Sequence, residues 1–260
     1  MRRSKVLEKL RKGETVISIS TSFTNSPRVT ELAAMIGFDC LWIDMEHRPY
    51  DYDDVYKMIM GARAADADCL VRIRKESYAE YFRVIEDGAS GIMIPHCKNQ
   101  EGARYAVMNC KYPPLGARGL DGVGVDADYG LAKFADHMIH ANKETFIVLQ
   151  IEDREAVDCI EEITAVEGFD LLFVGPLDIS ASYGAIGDFN NPLITRALQK
   201  VAEATAKHGK WWGTSTGNLD IARQYIEMGA RFINAGSDRG ILVSGFKKTL
   251  ADFCSLKSMK

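Results

Sequence analysis

Eight times along this 260-residue chain, a short apolar, β-branched run gives way to an amphipathic stretch that closes on Gly or Asp. The runs fall at 15–22, 40–45, 69–74, 91–95, 146–152, 171–175, 210–215 and 231–235. They are nearly continuous rather than alternating in character, which is the pattern of parallel strands covered on both faces. The stretches between them read as helices at 26–37, 51–66, 77–88, 99–111, 153–167, 192–208, 218–229 and 239–255. Ser26-Pro27 supplies a cap and a first-turn proline, and Asn99 caps another helix. In 192–208, Ile194, Leu198, Val201 and Thr205 recur at helical spacing and make one inward face. Eight βα units in this length predict one α/β domain over residues 1–260, a closed (β/α)8 TIM barrel. An open doubly wound sheet is the rival arrangement.

Bulk properties exclude some partners. A net charge of −4 offers no basic face for nucleic acid. No run reaches the ~18 apolar residues of a membrane span. The basic start, MRRSKVLEKLRKGE, lacks the apolar core of a signal peptide and reads as a short amphipathic helix, so the expected location is the cytoplasm. The six cysteines form no C-x-x-C pair and read as free, mostly buried thiols.

Two tempting pairs read as structure. His137 and His140 have helical spacing that suits a metal, yet they lie in a polar helix and are expected to be exposed. Trp211 and Trp212 read as core plus a wall of the barrel mouth. Residues 113–130, PPLGARGLDGVGVDADYG, have no periodicity, and a long loop of this composition is expected to be a mobile active-site or intersubunit segment.

Barrel chemistry gathers at the C-terminal strand ends. There the sequence places Asp44, Glu46 and His47, then Arg72 and Arg74, then His96, Gln150 and Glu152, and finally Gly175, Pro176 and Asp178. Glu152 and Asp178 end consecutive strands, which neighbour each other at about 4.8 Å in a parallel barrel. Two carboxylates that close persist when a cation or a proton lies between them. The alternative is that one caps a helix or pairs with an arginine. Gly175-Pro176 followed by a helix leaves the N–H groups of Leu177 and Asp178 as a seat for a carboxylate or phosphate, or else makes a plain capped turn. His47 suits proton transfer, though a structural role fits it equally. An inward Arg72 needs an anionic partner and could stabilise an oxyanion; Arg74 shares its parity, so alternation does not choose between them.

Three stretches carry a resemblance. FDCLWIDMEHRPYD (38–51), IPHCKNQEGARYAVMNCKYPPLGARG (94–119) and LQIEDREAVDCIEEITAVEGFDLLFVGPLDIS (149–180) resemble the HpcH/HpaI aldolase family of metal-dependent class II pyruvate aldolases. The resemblance implies a barrel of the phosphoenolpyruvate/pyruvate type. It implies cleavage of 4-hydroxy-2-oxo acids to pyruvate and an aldehyde, with Mg2+, Mn2+ or Co2+ as cofactor. It matches Glu152 and Asp178 to the metal ligands, His47 to the base and Asp44 to the base's carboxylate partner. Arg72 matches the arginine on the keto and enolate oxygens. Gln150, Gly175 and the backbone of Leu177 and Asp178 match the pyruvate pocket. Relatives assemble as homo-oligomers, hexamers or trimers, with sites near subunit boundaries.

The departures are Glu86 where the family often has Asp, a first strand without its usual Trp, Leu177 in place of a smaller residue, His96-Cys97, and the acidic residues Asp121, Asp126 and Asp128. These are expected to cluster around the aldehyde half of the substrate. Two other uses of the same enolate are oxaloacetate decarboxylation and a CoA-thioester lyase reaction, the acidic loop weighing against a CoA groove. A non-catalytic barrel that binds a small acid is the remaining alternative. No Lys stands at a strand end for a Schiff base, apart from Lys210 at the start of its strand.

Overall fold

The computed structural model describes residues 2–254 and 256. A short helix, α1 (Lys5–Arg11), precedes the alternation β1 (Val16–Thr21), α2 (Pro27–Ile36), β2 (Cys40–Asp44), α3 (Tyr52–Ala64), β3 (Asp68–Arg72), α4 (Glu80–Glu86), β4 (Gly91–Ile94) and α5 (Gln100–Cys110). A 3-10 turn at Val125–Gly130 and α6 (Phe134–Glu144) lead to β5 (Phe146–Ile151), α7 (Arg154–Asp158), α8 (Ile160–Thr164), β6 (Leu171–Val174) and α9 (Pro176–Ser182). The chain ends with α10 (Pro192–Lys207), β7 (Trp211–Ser215), α11 (Leu219–Glu227), β8 (Phe232–Ser237) and α12 (Asp238–Phe253). All strands are parallel and close in sequence order, β8 on β1, so the chain is a (β/α)8 TIM barrel. The helix expected at 153–167 is broken at Cys159, whose φ of −101° and ψ of 17° leave the helical region. No helix among the described residues is long and apolar enough to cross a membrane.

Side chains of period two divide the strands. Leu41, Ile43, Val71, Ile147 and Leu149 face the helices, while Trp42, Leu70, Met93, Val148, Phe173 and Phe232 fill the barrel interior. Gly91 belongs to the inner layer: a Cβ there would lie 2.1 Å from the Phe146 ring, so the ring occupies the space that a side chain would take. Beneath this layer α1 closes the N-terminal end with Val6, Leu7 and Leu10. Asp68, at the start of β3, pins that plug by accepting from Ser4 Oγ at 2.7 Å and Val6 N at 2.9 Å. Trp211 packs against this lower cluster and not at the mouth, because it begins β7. Four cysteines are buried and free, Cys159 is half-buried and Cys254 is exposed.

Residues 113–130 also belong to the lower end. The segment leaves the end of α5 and must return the chain to the start of β5, both on the N-terminal side of the barrel. It is held down by Arg118, whose buried guanidinium donates to Asp126 at 2.8 Å and lies 4.5 Å from the Tyr112 ring centre. Glu86 ends α4 on the same side, 3.7 Å from Arg118. Within one chain, then, Glu86 and the acidic loop do not flank the mouth, and the loop's charge carries no argument about a CoA groove there. His137 is buried rather than exposed, because this loop folds beneath α6 and sets Tyr112 Oη 3.3 Å and Asp126 3.5 Å from its ring.

Candidate active site

Two residues beyond the apolar inner layer, the same strand faces become polar. Trp42 is followed inward by Asp44, Leu70 by Arg72, Val148 by Gln150 and then Glu152, Phe173 by Gly175, and Phe232 by Asn234. The register pairs Asp44 with Arg72 directly. Asp44 Oδ1 and Oδ2 accept from Arg72 Nε at 2.9 Å and Nη2 at 2.8 Å, a bidentate pair at the floor of the mouth. The guanidinium carbon lies 5.2 Å from the Trp42 ring centre, and Nη1 is 3.1 Å from Glu46. Burial alone would raise the Asp44 carboxyl, but the hydrogen bonds and charge of Arg72 outweigh it and hold Asp44 below its ordinary value.

Arg72 Nη1 also donates to Gln150 Oε1 at 3.4 Å, and Gln150 Nε2 donates to Glu152 Oε1 at 2.6 Å. Glu152 is 2% exposed. Its other oxygen accepts from the His96 peptide N–H at 3.1 Å. His96 presents that N–H from a left-handed backbone, φ +46°, an uncommon geometry for a residue with a Cβ. The His96 ring is 3.3 Å from Asp153 and 3.6 Å from Glu46, so among the sequence departures it does stand at the mouth.

The sequence-predicted residues thus assemble with two rearrangements. Asp44 engages Arg72 and not the His47 ring; it reaches His47 only through the peptide N–H, at 3.4 Å. The half-exposed His47 ring lies 3.9 Å from Glu46 instead. Arg74 is outside the mouth because β3 ends at Arg72, after which strand parity no longer directs side chains. Its Nε donates to Met45 O at 3.2 Å and its Nη2 to Tyr50 O at 2.5 Å, which ties together both ends of the 45–50 loop. Glu46, in sequence a strand-end acid, lies between Arg72, His47 and His96. Its place two residues beyond Asp44 was the available signal.

Burial pushes the Glu152 carboxyl up to about 7, against the His96 peptide, and the neighbouring Asp178 charge adds to the rise. Gly175 makes room for this group: a Cβ at 175 would meet Glu152 Cγ and Oε1 at 2.9 Å. Pro176 starts α9 and no side chain caps it, so its first turn presents unused N–H donors beside Asp178. No group of three or more His, Cys, Asp or Glu side chains among the described residues forms a metal cage. A buried carboxylate with a second, exposed one near it suits a hard dication that keeps part of its hydration shell.

The family model for HpcH/HpaI aldolase/citrate lyase matches residues 22–244, and the chain belongs to that family. It is 35% identical over 227 residues to the 5-keto-4-deoxy-D-glucarate aldolase of Enterobacter sp. (strain 638), which covers 87% of this chain and 88% of that one. The Escherichia coli O6:H1 protein of the same name is 34% identical, covering 89% of both. Among solved structures, an HpcH/HpaI aldolase from Desulfitobacterium hafniense DCB-2 superposes with TM-score 0.90 at 30% identity over 98% of this chain and 97% of that one. The citrate synthase SbnG superposes with TM-score 0.88 at 27% identity over 98% of each.

Proposed function

We propose that the protein is a divalent-metal-dependent aldolase that cleaves 4-hydroxy-2-oxo acids to pyruvate and an aldehyde. The observation that carries this reading is the buried Glu152 carboxyl, raised to about 7 beside Asp178 and joined through Gln150 to Arg72. Glu152 and Asp178 would hold Mg2+, Mn2+ or Co2+, which supplies Lewis-acid stabilisation of the enolate when bound. Gln150, Gly175 and the first-turn N–H groups of Leu177 and Asp178 orient the 2-oxo acid. His47, steadied by Glu46, takes the 4-hydroxyl proton. The C3–C4 bond breaks, its electron pair enters the enolate, and the aldehyde leaves. Arg72 stabilises the enolate oxygen, and the proton returns to C3 to give pyruvate. Asp44 fixes the fork of Arg72.

Relatives named for 5-keto-4-deoxy-D-glucarate support a dicarboxylic substrate of six carbons. Cleavage beside its deoxy carbon leaves the second carboxylate on the aldehyde. Deuterium uptake into the pyruvate methyl group is expected with Mg2+, Mn2+ or Co2+ and absent with EDTA; an aldehyde panel then identifies the acceptor. Cleavage that survives EDTA but is lost to borohydride with pyruvate would overturn this reading. The likeness to a citrate synthase favours a second use of the enolate, so oxaloacetate is assayed beside the hydroxy-oxo acids.

The partner we propose is a second copy of this chain. In the sixteen-residue α12 only Asp238 is buried, although Leu242, Phe246, Leu250 and Phe253 recur at helical spacing. The eighth helical position over β1 and β8 is correspondingly bare: Ile17 is 37% exposed, and Leu32, Met35 and Ile36 of α2 face outward. Burial of each such side chain contributes about 1.5–3 kcal/mol. Sedimentation is expected to show an oligomer that Phe246→Glu with Leu250→Glu converts to monomer; a monomeric wild type at 100 µM overturns the assembly.

A further inference from the structure

We propose that Asp238 is a positioning residue, which acts through the 22–24 turn and Tyr50 on the loop that carries Glu46 and His47. The inference rests on the proposed role of His47. Asp238 opens α12 at the C-terminal end of β8 and is 7% exposed. Its carboxylate accepts from the peptide N–H groups of Ser22 at 2.9 Å, Phe23 at 3.1 Å, Thr24 at 2.9 Å and Arg239 at 2.8 Å, and from Thr24 Oγ1 at 3.3 Å. An ionised carboxylate offers about four lone-pair sites and no donor, which matches this crowd of N–H groups. An asparagine would turn an NH2 towards them.

The turn that Asp238 holds presents Thr24 O to the Tyr50 hydroxyl, which donates at 3.1 Å. Burial pushes the Tyr50 phenol up to about 12, so its proton stays in that bond. Tyr50 is also the far end of the catalytic loop: Arg74 ties Tyr50 O to Met45 O, and residues 46–49 hang between these two points. Near its base the loop is held by Asp44, which accepts from Glu46 N at 3.1 Å. The Tyr50 hydroxyl is thus an anchor that connects the loop to the 22–24 turn. The chain of bonds runs from the first residue of α12 to the backbone that places His47. Displacement of a base by about 1 Å can cost up to 10²-fold in rate.

The test is pyruvate methyl deuterium exchange with saturating Mn2+, measured on wild type, Tyr50→Phe, Asp238→Asn and the double variant, with melting temperature alongside. Tyr50→Phe removes one oxygen and keeps the packing. Expected is a fall in kcat of about tenfold in each single variant, pyruvate KM within about twofold, and a double variant no slower than the slower single one. Unchanged kcat with a lowered melting temperature would make Asp238 purely structural and overturn the relay. Single effects that multiply in the double variant would do the same, by showing independent actions. Absence of exchange in the wild type would overturn the enolate reading itself, and the relay with it.

Discussion

Glu152→Gln is expected to lower metal-dependent pyruvate exchange by about 10²–10³-fold, the scale of losing one preorganised group from a charge-stabilising site. The substitution keeps the shape and the contact with Gln150 while removing the charge that a cation needs. The raised carboxyl supplies a second, independent readout. A group lifted in the folded state from 4.5 to about 7 contributes stability that is complete below its ordinary value and is lost as pH rises through about 7. The metal-free protein is therefore expected to melt at lower temperature at pH 8 than at pH 6. Added Mn2+ should restore the difference most at pH 8, where protons no longer compete for the carboxylate. In Glu152→Gln both the pH trend and the restoration should vanish. Differential scanning fluorimetry reads both, and a variant still stabilised by Mn2+ would place the cation elsewhere.

Arg72→Lys is the second large effect. Lysine keeps the charge but cannot reproduce the fork that meets both Asp44 oxygens and, through Nη1, Gln150 and Glu46. A fall in kcat of about 10²-fold is expected, with a smaller change in pyruvate KM, because in the proposed mechanism the lost contact is made to the developing enolate. Arg72→Met should be worse for stability, since it strands the buried Asp44 carboxylate at a cost of about 3–5 kcal/mol. Adding Asp44→Asn to Arg72→Met should recover part of that stability without recovering turnover. An Arg72→Lys enzyme with wild-type kcat would show that the fork plays no part in the chemistry.

The strands were legible because each one repeats a simple instruction, an apolar run followed by a turn, and eight of these in a chain of this length favour a closed barrel over an open sheet. Asp44, Arg72, Gln150 and Glu152 could be named for the same reason: they stand at or next to strand ends, and those ends were bounded to within two residues, while Asp178 follows β6 in the first turn of α9. Parity ran out where the strands ended. It could not separate Arg72 from Arg74, since pairing in β3 stops at Arg72 and the next turns aim Arg74 at carbonyl groups. Nor could it predict that Asp44 would face Arg72 across the register while His47 lay beside Glu46.

The sequence by itself determined the barrel, the polar end of its inner layer and the family. Tertiary structure alone decided which end each loop joined and which partner each buried charge took. Residues 113–130 read as an active-site or intersubunit loop because composition reports irregularity and not location; within one chain the loop lies away from the mouth. Asp126 and Arg118 bind that loop to the lower end, a contact between residues that no local period relates. Asp238 falls in the gap between the last expected strand and the last expected helix, and its four peptide partners come from 22–24 and from Arg239. Hydrogen bonds across more than two hundred residues arise from closing β8 on β1. They become visible only when the barrel is shut, and in this chain they lie at the C-terminal end of the barrel, the end that carries Glu152 and Asp178.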